Sequence, residues 1–365
     1  MTASKPAITA PVRPPPVARR PRERTGRAIA AASVVLLAAL LAGVAVGPAG
    51  LSLPAVAGSL LARLPWHPQL QVPGVDVAIV WQVRMPRVVV GALAGAMLSG
   101  SGAAYQGVFR NPLVDPYLLG AAAGGGLGAT LVIVTGAPAS LLPPAAFAGA
   151  VGAVALTYVL GTGAGRTDTV RAGGSGGAIV LAGVAVTALL TAVQTYLQQQ
   201  HTQELQQIYG FILGGLSLSS WSSVTLILPY VIVAAVVLFA HRRLLDVLRV
   251  GESEAASLGL DVTRLRLTVV AAATLGTAAA VAVSGLIGFV GIIVPHTVRL
   301  TAGASYRLVL PVSMIGGAAF MVLADIAART VQAPAEVPIG VITAATGAPF
   351  FLFVLRSKRA RQELA

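Results

Sequence analysis

The chain alternates long runs that are apolar on every face with short segments that gather its charge. Residues 34 to 41 read V-V-L-L-A-A-L-L and residues 232 to 240 read I-V-A-A-V-V-L-F-A, with no polar position in either. A strand exposed on one side alternates with period two and a soluble helix keeps a polar stripe, so such runs predict helices surrounded by apolar material. Spans are expected at about 29–48, 86–108, 114–134, 141–161, 177–197, 224–240, 265–284, 286–302, 308–328 and 337–355. Each is near the roughly 20 residues that cross a bilayer core as a helix. Gly124, Gly125 and Gly126 interrupt one of them, and Gly288, Gly291, Pro295 and His296 make the 286–302 segment short or irregular. The semi-apolar stretch 209–223 reads as a partial helix dipping in from one side. The expected fold is an all-α polytopic membrane protein with about ten transmembrane helices; an outer-membrane barrel would instead show alternating segments of about 10 residues.

Composition agrees. Of 365 residues, 56 % are hydrophobic and only 10 % charged, and the mean hydropathy is +0.83. A soluble domain carries roughly 25 % charged residues, so most of this surface faces lipid. The 41 glycines lie among Ala/Val/Leu runs without a three-residue period, where small residues let membrane helices approach closely. Cysteine is absent, and His67, His201, His241 and His296 are far apart with no H-E-x-x-H pattern. Thiolate chemistry is therefore excluded, and a metal site in this chain is not expected. The net charge of +13 sits in short segments between apolar spans, which argues against nucleic acid as a partner.

Those segments set an orientation. Residues 1–27 hold six prolines and seven basic residues against one acid, Glu23, and read as a disordered basic tail. A signal peptide competes, but no clean A-x-A site precedes Pro48 and further spans follow. With the amino terminus inside, the cytoplasmic segments receive Arg110, Arg166, Arg171, the run His241 to Arg243, Arg249, Arg264, Arg266, Arg299, Arg307, Arg356, Lys358, Arg359 and Arg361. This is the positive-inside pattern, and it places both termini in the cytoplasm. A permease domain at 28–356 and a tail at 357–365 complete the organisation. Arg63, Arg84, Arg87 and Arg329 fall outside. Either they snorkel to headgroups, or they present a positive rim to an acidic partner.

The loop 241–266 holds five arginines and four acids. Ser253 to Leu258 can form a short helix, opened by Glu252 and Glu254 near its positive end and closed by Gly259. Ala255, Ala256 and Leu258 would give it a small apolar face, suited to a groove on a soluble neighbour or to an ordinary interfacial turn. The chain has no G-x-x-x-x-G-K-[ST]; Gly173 to Gly177 and Gly124 to Gly128 lack the lysine that reaches phosphates. ATP hydrolysis, if it drives this protein, must occur in another chain.

Five blocks in order carry a resemblance: W-Q-V-R-M-P-R at 81–87, G-S-G-A-A-Y-Q-G-V-F-R-N-P-L-V-D-P-Y-L-L-G at 100–120, V-G-E-S-E-A-A-S-L-G at 250–259, G-F-V-G-I-I-V-P-H-T-V-R-L at 288–300 and A-E-V-P-I-G-V-I-T-A-A-T-G-A-P-F-F-L at 335–352. The chain resembles the permease family of bacterial ABC importers for iron-siderophores, haem and cobalamin, type II importers with the vitamin B12 permease architecture. The resemblance implies a second copy or close paralogue of the permease, two cytoplasmic ATPase subunits that use ATP and Mg, and an extracytoplasmic binding protein, in the bacterial cytoplasmic membrane. No cofactor is expected on this chain. Gly251, Glu252, Ala255, Leu258 and Gly259 match the ATPase-coupling loop, and Arg84, Arg87 and Arg329 match arginines that meet acidic residues of the binding protein.

Further assignments follow. Asn111-Pro112 and Asp115-Pro116 bracket an inward turn whose Asn and Asp can cap backbone donors. Pro295 and His296 suit either a broken-helix gate or a packed polar turn. Asp325 is expected to pair with Arg329 at i,i+4. By the resemblance the 177–197 and 209–223 segments line the path, with Leu190 and Gln194 one turn apart on a wall. Tyr196 and Gln194, Gln198, Gln199 and Gln200 read as a polar vestibule or a hydrated loop. Ferric siderophore is the first cargo expectation on family frequency, with haem and cobalamin behind it. A secondary transporter would need ionisable residues near mid-span, and a membrane enzyme a cluster of catalytic groups; neither is evident.

Overall fold

The computed structural model describes residues 21–63, 72–164 and 174–356, all helices and turns. The helices are α1 (Pro21–Ala45), α2 (Leu53–Leu61), α3 (Gly74–Ala78), α4 (Met85–Val108), α5 (Ala121–Val134), α6 (Leu142–Ala164), α7 (Gly174–Gln200), α8 (Leu205–Ile212), α9 (Trp221–Leu248), α10 (Glu252–Ser257), α11 (Val262–Ser284), α12 (Val290–Ala302), α13 (Tyr306–Thr330) and α14 (Ile339–Arg356). Helix α1 starts at Pro21, inside the stretch read as a tail, because proline is tolerated where a first turn needs no donor. Arg166, Arg171 and most of both tails lie outside the described residues.

Among the described residues seven helical segments are long and apolar enough to cross a membrane, not ten: Thr25–Ala45, Gly74–Val108, Ala139–Gly163, Gly177–Gln200, Trp221–Leu248, Val262–Ser284 and Tyr306–Thr330. Three expected spans are shorter apolar helices, Ala121–Val134, Val290–Ala302 and Ile339–Val354. The first begins at Ala121 because residues 109–120 form a chain of turns ending in Gly120 at φ +90°. The second begins at Val290 because Phe289 is left-handed, with φ +69°. At 1.5 Å per residue each of these two reaches only about 20 Å. The partial helix expected at 209–223 ends at Ile212, and a capping box at Ser220 and Ser223 opens α9.

Helices α4, α11 and α13 form the interior. About three quarters of their apolar windows are buried, against 17 to 28 % for α1, α6, α7 and α9, which form the perimeter. Small residues permit this centre: a Cβ on Gly95 would strike the Gly317 carbonyl, and one on Gly102 the Gly291 backbone. The α4–α13 and α4–α12 crossings are therefore backbone against backbone, the close approach that small residues allow in lipid. Helix α4 has 24 residues, about 36 Å of rise, so Arg87 and Gln106 mark opposite faces of the molecule.

Candidate functional site

At the Arg87 face, Pro86 has no amide to offer the carbonyl of Gln82, and the preceding turn widens so that the Met85 amide reaches the Val80 carbonyl. This π-type turn, Ile79–Arg84, leads into a buried charge cluster. Arg84 donates to the carbonyls of Val44 and Ala45 at 2.8 and 2.7 Å. Arg87 meets Asp325 at 2.8 Å and forks onto Glu336 at 2.7 and 3.0 Å. Arg329 lies 3.4 Å from Asp325 and donates to the Gly43 carbonyl at 2.6 Å. The expected i,i+4 pair is present, but the shorter partner of Asp325 is Arg87 on another helix.

Arg84, Arg87 and Arg329 are 3, 7 and 3 % exposed, so they form no exposed rim, contrary to expectation. A guanidinium leaves water only when carboxylates and carbonyls replace it, and these elements supply both. Arg63 stacks over Trp81 with its guanidinium 5.0 Å from the ring. The Trp81 indole donates to the Ser59 carbonyl, and the Trp221 indole to the Trp81 carbonyl, each at 2.8 Å. Paired tryptophans of this kind are typical of the lipid–water boundary.

At the opposite face, Gln106 joins three elements. Its amide donates to the carbonyls of Val114 at 3.2 Å and Gly291 at 2.9 Å, and its oxygen accepts from Arg299 at 2.6 Å. Residue 295 should donate to Gly291 but is proline, so the free carbonyl takes Gln106 instead. In the turn between α4 and α5, Asn111 accepts from the Leu113 amide and Asp115 from the Tyr117 amide, at 2.9 and 2.8 Å. These are the local caps expected of them. The Tyr117 hydroxyl bonds both the amide and the carbonyl of Ile287 at 3.0 and 3.1 Å, fastening this turn to the break before α12. His296 is buried, edge-on to Phe350 at 6.2 Å. With Gln106, Arg110, Pro112, Arg249 and Arg299 it lines a cavity of about 410 Å³.

A second backbone junction joins the broken elements. The amide of Gly215 donates to Ser284, and the amides of Ile339 and Gly340 donate to Gly214 and Leu213, at 2.9 to 3.1 Å. Backbone bonds between segments satisfy groups that a broken helix leaves without an internal partner.

Helix α10 runs from Glu252 to Ser257 between Gly251 at φ +135° and Gly259 at φ +84°. Its apolar residues do not share one outward face. Ala255 is fully buried with Leu245, Leu248 and Leu265, while Leu258 is 72 % exposed and Val250 62 %. Glu252 also turns inward, 2.6 Å from Arg266, and lies 4.0 Å from Arg110. Glu254 points outward; its own amide and the Ser253 hydroxyl hold its carboxyl below the usual range.

Gln194 departs from its expected place on a path wall. It is 7 % exposed, and its amide donates to the Thr130 hydroxyl at 3.2 Å across α5 and α7. Leu190 is half-buried beside it. The open face of α7 instead carries Leu181, Val184, Leu189, Val193 and Tyr196.

An all-helical bundle with long apolar helices, broken helices joined through their backbones and a short polar-flanked helix at one end is a polytopic membrane protein of a kind transport permeases use. Residues 34–357 match the FecCD transport family, and the chain belongs to that family as the permease subunit of an ABC import complex. The chain is 39 % identical to the cobalamin import system permease protein of Halobacterium salinarum, over 93 % of this chain and 99 % of that relative. It is 37 % identical to the hemin transport system permease protein of Yersinia pestis, over 77 % of this chain and 84 % of the relative. A solved chain described as an inward-facing conformation, assigned to a metal-chelate type ABC transporter, superposes with a TM-score of 0.78 at 28 % identity, covering 91 % of this chain and all of the other. Membership implies a paired permease, two ABC ATPase subunits that bind ATP and Mg, and an extracytoplasmic substrate-binding protein. The chain itself is not catalytic, and among the described residues no group of three His, Cys, Asp or Glu side chains can hold a metal ion.

Proposed function

We propose that this chain forms the membrane path of an ATP-driven importer for a bulky metal chelate, with cobalamin as the cargo. The supporting observation is the near end-to-end similarity to the cobalamin permease; the hemin and Fe(3+)-citrate relatives align over 77 and 78 % of this chain. Ferric siderophore, the first expectation from sequence, rested on family frequency and yields to that similarity. Haem is the second reading, favoured by the 37 % identity to the hemin permease.

In this reading the three short helices complete ten crossings, both termini are cytoplasmic, and the Arg249 to Arg266 and Arg299 to Arg307 segments lie inside, as the positive-inside pattern requires. Helix α10 receives the ATPase through Leu258, Ala256, Glu254 and Val250. Ala255 and the Glu252–Arg266 pair fix it to α9 and α11, so a push on the outer face moves both helices. The binding protein docks at the Arg87 face, where Glu336 is the accessible carboxylate. Cargo passes along the exposed face of α7, and Gln106, Pro295 and His296 form the hinge that lets α12 follow α4.

The test is uptake by the complete importer in proteoliposomes, with its binding protein supplied outside and cobalamin, haem and a ferric hydroxamate compared. ATP-dependent cobalamin uptake is expected; uptake of ferric hydroxamate alone would reject the cargo assignment.

A further inference from the structure

A second cavity on the Gln106 face, about 560 Å³, opens between the start of α1 and the end of α9, with the 302–308 turn as its floor. Arg242 and Arg243 line it from α9, Arg307 from α13 and Thr25 from α1. We propose that this cavity binds the phosphate of an anionic phospholipid from the adjoining leaflet.

Charge is the first argument. Three guanidinium groups share the cavity with one carboxylate, Asp246. Both oxygens of that carboxylate are already engaged: one accepts from the Tyr306 amide at 2.6 Å, the other from the Ser305 hydroxyl at 2.7 Å. Asp246 thereby caps α13 from a neighbouring helix and fixes the floor of the cavity. Arg307 approaches it only at 3.8 Å and keeps its side chain 64 % exposed. Among the described lining residues the guanidiniums keep a net positive charge, with Asp246 as the one acid. Arginine forks match phosphate oxygens in geometry as well as in sign.

Depth is the second argument. Val34, Val35, Leu37 and Leu41 on α1, and Ile232, Val233 and Val236 on α9, are exposed apolar side chains, so these faces contact hydrocarbon. Thr25 precedes Val34 by nine residues and Arg242 follows Val236 by six. At 1.5 Å per residue the cavity lies about 9 to 14 Å along the helices from these side chains, at the polar ends of the Thr25–Ala45 and Trp221–Leu248 segments, where headgroups lie. Leu308 and Ala302 give it an apolar wall for the glycerol and upper acyl segment. Basic pockets between helix ends at this depth are the sites that hold acidic headgroups.

The complete permease–ATPase complex is placed in nanodiscs of mixed phosphatidylcholine and phosphatidylglycerol, released in mild detergent, and its retained lipid counted by native mass spectrometry. Wild type is expected to retain phosphatidylglycerol in preference to phosphatidylcholine. The R242Q/R243Q/R307Q variant is expected to lose that preference, and Arg264→Gln, which removes an exposed charge elsewhere on the face, to keep it. Equal retention by the triple variant and wild type overturns the proposal. Complete displacement of the lipid by excess inorganic phosphate reassigns the site to free anions and overturns the lipid assignment. Loss of the ATPase subunits with lipid retention unchanged gives the arginines to that partner and does the same.

Discussion

The side-chain amide of Gln106 stands 2.9 Å from the carbonyl of Gly291, occupying the acceptor that Pro295 leaves without a helical donor. Gln106→Leu removes that donor, the one to Val114 and the acceptor of Arg299. Stranding buried polar groups costs about 1–3 kcal/mol each, so a lower thermal unfolding midpoint in detergent is expected. Pro295→Ala restores an amide to Gly291, so Gln106→Leu should cost less in that background. A double-mutant cycle checks this, and simple additivity would reject the link.

Arg87→Leu takes the nearer cation from Asp325, which is 1 % exposed and keeps Arg329 at 3.4 Å; breaking one side of a buried pair costs about 3–5 kcal/mol, and the remaining arginine places the loss at the low end. Replacing Arg87 and Asp325 together by Leu and Asn should recover part of that loss. Thermal inactivation of the two variants gives the comparison.

Burial also changes how docking must be tested. A carboxylate at position 84 would face the carbonyls of Val44 and Ala45 and damage the fold, so charge reversal there says nothing about a partner. Glu336→Gln keeps a side chain that can accept from Arg87 and removes the negative charge beside it, leaving more positive field for an acid of the binding protein. Association should tighten by about fivefold at low salt, roughly 1 kcal/mol, and the gain should shrink as salt rises. Surface-coupled binding of the receptor measures it; weaker or unchanged association sinks the docking role.

Leu258→Ala removes an exposed side chain and should lower ATP-coupled uptake and ATPase copurification without shifting the unfolding midpoint. Ala255→Leu is the converse. Its site is fully buried, and overpacking costs about 1–3 kcal/mol, so expression and midpoint fall before coupling is read.

Gly95→Ala drives a methyl into the backbone of Gly317 and should cost about 3 kcal/mol or more, since backbone cannot repack around it. Gly152→Ala, inside α6 with open space around its Cβ position, should hold or raise stability by up to about 1 kcal/mol. Fluorescence-detected size exclusion after a heat step separates them.

Much of this was legible from residue types alone. Runs such as 232–240 can only sit in lipid, Gly259 had to end a short helix, and Asn111 and Asp115 capped the turns they were expected to cap. The Arg84, Arg87 and Arg329 positions were legible as a set, but not their environment. Apart from the i,i+4 pair of Asp325 and Arg329, their partners lie about 40 positions away for Arg84 and more than 200 away for Arg87 and for the Gly43 carbonyl on Arg329, and no local pattern announces such neighbours. Gln194 misled for the same reason: its helical position is fixed locally, but which side of α7 meets α5 depends on Gly126 leaving room for the amide.

The sequence by itself determined that the chain spans a membrane and which family it resembles, because hydropathy acts over a few residues; the interruption it suggested at Gly124 to Gly126 is continuous helix in α5. Only the tertiary structure decided which of its polar groups face inward. Glu252 turns to Arg266 and Gln106 to Gly291, since a buried polar atom must find its partner wherever the fold supplies one. The outward groups, Leu258, Glu254 and the three arginines around Asp246, are what remains for other molecules to bind.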